Sequence, residues 1–199
     1  MPSSSRTFIA LPIPHVQRTR LGRLQGLIAP EVPNARWTEP DQFHLTLAFI
    51  GDVPDVDLNQ FCRAVAGAAV AFDPFVINLQ SLGAFPDPGR PRVVWVGVTG
   101  PGLEVLGPLR EAVATAAVEA GYPPEDDRFH PHVTLGRIKS KRGQEVEIAR
   151  LIPHYRSWAA GQFTVSEVIV YASTLTPEGP SYMVLSRAPL LGEKPGGDA

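Results

Sequence analysis

Two four-residue strings constrain this chain more than any other feature: His44-Leu45-Thr46-Leu47 and His132-Val133-Thr134-Leu135. Each reads His-x-Thr-Leu with an apolar x. In a β-strand, residues i and i+2 share a face, so each string sets a His beside a Thr on one face and two apolar residues on the other. At average composition such a tetrapeptide occurs in roughly one window in ten thousand. Two copies in 199 residues mark a duplicated half-site. The surroundings repeat as well. Phe8 precedes His44 by 36 positions and Trp95 precedes His132 by 37. Each interval reads strand, helix, loop, motif strand, and each motif is followed by a helix and a further strand, near Phe75–Leu79 and Phe163–Glu167. An offset of 87 or 88 residues is a domain duplication, not a solenoid repeat.

The apolar periodicity predicts strands at Thr7–Leu11, Phe43–Ile50, Phe75–Leu82, Arg92–Thr99, Phe163–Tyr171 and Tyr182–Arg187, with Trp37 also extended. Helices are expected over 15–28, 55–72, 102–120 and 143–152, the third bent or delayed by Pro108. Alternating elements could form a parallel α/β sheet. The short links at 83–91 and 172–181 favour antiparallel neighbours instead. The expected fold is α+β, a single domain of two pseudo-symmetric lobes. Each lobe is an antiparallel sheet with flanking helices, built from residues of about 6–82 and 92–188, and a cleft lies between the two facing sheets. Residues 1–5 and 192–199 are expected to be disordered.

Charge and cysteine usage narrow the function classes. A net charge of −2 argues against a protein that coats nucleic acid through bulk positive charge, while leaving room for one that reads only a strand end. Cys62 is the single cysteine, so no intrachain disulfide can form, and it reads as a small core residue in a helix. No membrane-length apolar run and no signal-peptide core are present in the sequence, and the expected location is the cytoplasm.

Paired His and Thr residues suit a phosphodiester opened without metal. Water attacks phosphorus in line with the departing oxygen, so the group that takes a proton and the group that gives one must stand on opposite sides. Two imidazoles, with ordinary pKa values of about 6.5, can fill those roles near neutral pH. Thr46 and Thr134 would donate hydrogen bonds to the non-bridging oxygens. Arg137 can clamp a phosphate bidentately. Strict strand parity points it away from the His face, so it needs a bulge, which Gly136 permits. Its counterpart in the first copy is Phe49. The basic run continues through Lys139, Lys141 and Arg142, readable as a solvated loop or as a path for an RNA backbone. His130-Pro131-His132 also has the spacing of some metal sites, with His44 and Asp126 or Asp127 as further ligands. The matching position in the first copy is Gln42, and no second His cluster accompanies it. His15 and His154 read as surface residues.

Taken with Arg6–Ala10, Trp37, Phe43–Gly51, Gly83–Pro86, Val94–Val98, Phe129–Arg137 and Gly179–Tyr182, these motifs resemble the 2H phosphoesterase superfamily. The resemblance covers nearly the whole chain, and within that superfamily the chain is most similar to the bacterial and archaeal RNA 2′,3′-cyclic phosphodiesterases, also called 2′-5′ RNA ligases. The resemblance implies an enzyme that opens a terminal 2′,3′-cyclic phosphate on RNA to leave a 2′-phosphate. His44 would be the proton donor to O3′ and His132 the proton acceptor that activates water. It also implies ATP-independent 2′-5′ joining of such an end to a 5′-hydroxyl. It implies no metal or nucleotide cofactor, an RNA partner and a monomer. Gly136 stands where alanine is common in that family. Three other readings compete: a 2H phosphoesterase for small cyclic nucleotides or a cyclic ADP-ribose phosphate, a non-catalytic RNA-end binding module, and a metallohydrolase using His130, His132 and His44.

Overall fold

Alternating apolar residues between proline- and glycine-rich turns give this chain its strands. The computed structural model describes residues 3–126, 128–138, 148–177 and 179–193. In chain order these form β1 (Ser4–Pro12), α1 (His15–Ile28), β2 (Ala35–Trp37), β3 (His44–Pro54), α2 (Leu58–Ala69), β4 (Phe75–Phe85), β5 (Val93–Thr99) and α3 (Leu103–Glu119). Then come β6 (His132–Ile138), α4 (Ile148–His154), β7 (Ala159–Val165), β8 (Glu167–Thr176) and β9 (Gly179–Pro189). Three expectations shift. Gly192 and Glu193, expected in a disordered tail, donate their backbone N–H groups to the Phe72 and Val70 carbonyl oxygens at 2.9 and 3.0 Å. Ser4 and Ser5 belong to β1, paired with Pro54 and Val53, rather than to a disordered end. The strand expected over 163–171 is broken at Ser166 into β7 and β8, which pair with different neighbours. Pro108 sits inside α3, in its second turn, where it removes one intrahelical hydrogen bond without ending the helix.

The fold is α+β, and among the described residues every strand pairing is antiparallel. The strands make one curled sheet in the order β7-β4-β5-β6-β3-β1-β8-β9, with β2 added to β6. Two lobes of four strands are therefore joined edge to edge, through β3 and β6, into one sheet rather than two separate ones. Nor do they coincide with the sequence halves expected over 6–82 and 92–188. β4, from the first copy, pairs with β5 of the second; β8, from the second, pairs with β1 of the first. β4 and β8 have been exchanged between the copies, while β7 stays in the lobe of its own copy. The exchange keeps the pseudo-symmetry, because Phe85↔Val93 in one lobe matches Ser173↔Arg6 in the other.

The junction shapes the cleft. Only one rung, Leu45↔Val133, joins β3 to β6. Further along β6 the same edge is taken by β2, through Trp37↔Gly136, Arg36↔Arg137 and Ala35↔Ile138. The lobes part beyond the rung. On the opposite face Leu45 and Val133 are fully buried in a core shared by both copies, with Leu11, Leu24, Ile77 and Leu109. Cys62 is partly buried against this core.

Candidate active site

The single rung fixes the geometry of the two motifs. With Leu45 opposite Val133 in antiparallel register, His44 stands across from Thr134 and Thr46 across from His132. The four side chains form a square on one face of the two central strands, diagonal by type. All four line a cavity of about 800 Å³. The two His residues thus meet on neighbouring strands around one rung, rather than across a gap between facing sheets.

Each imidazole is oriented in the same way. His44 Nδ1 donates to the Gln42 carbonyl oxygen at 2.7 Å, and His132 Nδ1 donates to the His130 carbonyl oxygen at 2.6 Å. A carbonyl only accepts, so Nδ1 carries the proton and Nε2 is the nitrogen left for the cavity. Both rings rest on aromatic edges and faces. Phe8 lies 4.9 Å and Tyr182 5.3 Å from His44, centroid to centroid; Phe85 lies 5.1 Å from His132. Phe8, Phe85 and Tyr182 were not among the site residues expected from the sequence. What marks them is strand register, which places them beside the His face, and register is not visible in one strand's alternation.

Burial pushes the His44 pKa down to about 4, against the raising effect of its bond to Gln42; the positive charges of His132 and Arg137 lower it further. His132 is lowered too, again chiefly by burial and against its bond to the His130 carbonyl, with His130 and Arg137 adding to the lowering. A histidine in the unfolded chain protonates at about 6.5. Between that pH and about 4 the unfolded chain binds the proton at His44 and the folded chain does not. Stability therefore falls as the pH drops through that window, and this group costs nothing more below it.

Arg137 reaches the His face through a bulge. Val94 pairs with Gly136 and Trp95 with Thr134, so Leu135 is an extra residue. The freed Leu135 carbonyl accepts from the Thr38 N–H and from Gln25 Nε2. After the bulge, Gly136 turns inward and Arg137 outward into the cavity. The same bulge falls at Leu47 in the first copy, where Ile9 pairs with Ala48 and Ala10 with Thr46, and it brings Phe49 to the matching place. Gly136 has a packing role as well: a Cβ there would come within 2.8 Å of the Trp37 ring. Lys139, Lys141 and Arg142, the proposed RNA path, lie outside the described residues.

Among the described residues the metal reading does not assemble. The His130 ring packs on Phe85 and Trp95, and Asp126 accepts from Arg128. Among the described residues no group of three metal-ligating side chains comes together; Asp127 is outside them. His15 and His154 are exposed, as expected.

A family model described as LigT-like phosphoesterase matches this chain twice, over residues 11–95 and 96–182. The chain belongs to this family. The two matches meet inside β5. Similar curated proteins include the RNA 2′,3′-cyclic phosphodiesterase of Aeropyrum pernix, 39% identical over 83% of this chain and 92% of that one. That of Methanothermobacter thermautotrophicus is 34% identical over 89% and 94%. Among solved structures, a protein of Thermus thermophilus superposes with a TM-score of 0.75 at 30% identity, covering 95% of this chain and all of that one. E. coli LigT complexed with 3′-AMP gives a TM-score of 0.75 at 25% identity, over 94% and 99%.

Proposed function

We propose that this LigT-like phosphoesterase opens RNA 2′,3′-cyclic phosphate ends to 2′-phosphates, with His44 as the acid and His132 as the base. The observation that carries the reading is the diagonal His–Thr square around the Leu45↔Val133 rung, with both Nδ1 atoms tied back to carbonyls. Phosphorus sits between the two Nε2 atoms. His132 takes a proton from water as its oxygen bonds to phosphorus; the P–O3′ bond breaks, and His44 gives its proton to O3′. The product carries a 2′-phosphate and a 3′-hydroxyl. Thr46, Thr134 and Arg137 hold the non-bridging oxygens, where charge accumulates. A 5′-hydroxyl in place of water gives a 2′-5′ link by the same displacement. The names of the similar curated proteins support this substrate class. A cavity of about 800 Å³ fits a nucleotide end better than a bare phosphate group. The direct test is to incubate the protein with an RNA ending in a 2′,3′-cyclic phosphate and to identify the phosphate position in the product. A 3′-phosphate product, or no turnover, rejects the assignment.

The low His44 pKa gives the proposal a pH signature. In the free protein the acid is deprotonated at neutral pH, since its pKa lies at about 4. A bound phosphodiester anion offsets the charge of Arg137 and raises both imidazole pKa values. The alkaline limb of kcat, which reports the complex, should therefore lie at higher pH than that of kcat/KM, which reports the free protein. Coincident limbs would mean that the anion does not control protonation.

Arg137→Ala should lower kcat/KM by about 10- to 100-fold, the worth of a charged hydrogen bond to the reacting phosphate. The loss should be equal for RNA ends and cyclic mononucleotides, because both carry that phosphate. Steady-state kinetics on the two substrates checks it; a loss confined to RNA would move Arg137 away from the reacting group.

A further inference from the structure

Past the His–Thr square the cavity continues along β2. There Arg36 stands directly across from Arg137 in the β2–β6 ladder. Directly opposed residues share a face, and both of these line the cavity. Like charges so opposed destabilise a ladder. Arg6, another cavity arginine, is paired with Glu125 at 3.7 Å. Among the described residues, neither Arg36 nor Arg137 is held by a carboxylate or by a side-chain hydrogen bond. The Arg36 guanidinium lies against the turn between β8 and β9. A Cβ at Gly179 would come within 2.8 Å of its Nη2, and Gly179 has φ +141°, a conformation that side chains avoid. The turn is tied by Thr176 Oγ1, which donates to the Gly179 carbonyl oxygen at 2.8 Å. Two opposed cations, neither of them held by a carboxylate among the described residues and one of them resting on a glycine, form a cradle for an anionic ligand.

We propose that Arg36 binds a second phosphate of the substrate: the phosphodiester on O5′ of the nucleotide whose cyclic phosphate is opened. The proposal rests on the reading above, which gives the reacting phosphate to the His–Thr square and Arg137. Arg36 is the cross-strand neighbour of Arg137, about 5 Å away at Cβ, so its ligand belongs to the same nucleotide or the next. On a nucleotide with a 2′,3′-cyclic phosphate, the other phosphate within one sugar is on O5′. Every RNA chain carries that group, and a free nucleoside 2′,3′-cyclic phosphate lacks it. Arg36 therefore separates a chain end from a monomer. A planar guanidinium fits a phosphodiester with two parallel N–H donors, which an ammonium group does not reproduce.

The test compares a nucleoside 2′,3′-cyclic phosphate with the same compound carrying a 5′-phosphate, in the wild type, Arg36→Ala and Arg36→Lys. The wild type should prefer the 5′-phosphorylated compound by about tenfold or more in kcat/KM. Arg36→Ala should erase that preference while changing the unphosphorylated substrate by no more than about threefold, and Arg36→Lys should keep only part of it. A wild type with no preference overturns the proposal. So does an Arg36→Ala variant that loses both substrates equally, which would make Arg36 a support for the 179 turn. If the wild type opens neither compound, the functional reading fails, and binding decides the second phosphate separately. A nucleoside 2′,5′-bisphosphate should then bind more tightly than the 2′-phosphate in the wild type and not in Arg36→Ala. Equal binding in the wild type overturns the proposal.

Discussion

His44→Ala and His132→Ala should each lower turnover by about 10²- to 10⁴-fold, the usual cost of a lost general acid or base. Both rings sit at the edge of the core with their backs on aromatic residues, so circular dichroism should show folded protein in both variants. The double variant should lose far less than the product of the two single losses. A displacement that needs both a donor and an acceptor is already broken by removal of either. The measurement is single-turnover opening of a cyclic phosphate end, which isolates the chemical step. Near-normal rates in either folded variant would remove that residue from the mechanism. A double variant with fully multiplied losses would show that the two rings act independently.

The second large effect is expected at a residue that touches no substrate. Leu45→Ala should cost about 2–5 kcal/mol, because Leu45 is fully buried in a packed core. At about 2–4 °C per kcal/mol for a chain of this size, Tm should fall by several degrees or more. Leu45 also forms the one rung between β3 and β6. Its loss should loosen the register of His44 against Thr134, lowering kcat of the folded fraction as well. Leu79→Ala is the comparison, since Leu79 is equally buried but lies in β4, away from the junction. It should reduce stability alone. Equal kcat in the two variants would mean that the rung does not set the geometry of the square.

Much of the architecture was legible because it rests on local signals. The helix over 15–28 coincides with α1, and the strand over 92–99 with β5 to within one residue. The duplication was legible from spacing alone. The α+β class followed from short links between strands, and the antiparallel pairing agrees. What local pattern could not show is which strands far apart in the sequence lie side by side. The short link at 83–91 already made β4 the neighbour of β5, as sequence neighbours usually pair, whereas the pairing of β8 with β1 is a long-range contact that no local pattern shows. Nor could it show that the two sheets are one, joined by a single rung between β3 and β6. At the candidate site, repetition in the sequence singles out His44, Thr46, His132 and Thr134, and all four line one cavity. Strand parity alone demands a bulge to bring Arg137 onto their face, and the register shift at Leu135 provides it. Arg36 carried no signal, because its significance comes from the strand opposite. His-x-His spacing at 130–132 misleads in isolation. Both imidazoles pack on Phe85, and of the two only His132 lines the cavity.

The strand exchange means that neither copy is a folding unit. A chain cut near residue 95 would leave β4 without β5 and β7 in the first piece, and β8 without β1 in the second. Each piece would bury its sheet only by finding the other. Two identical single-copy chains could meet the same pairings by trading the strand equivalent to β4 and β8 about a two-fold axis. Such a dimer would present the same residue at both bulges and would hold its ligand equally well in either of two directions. Joining the copies in one chain removes that constraint. Phe49 and Arg137 differ where a dimer would require a match, so a substrate can tell one end of the cleft from the other.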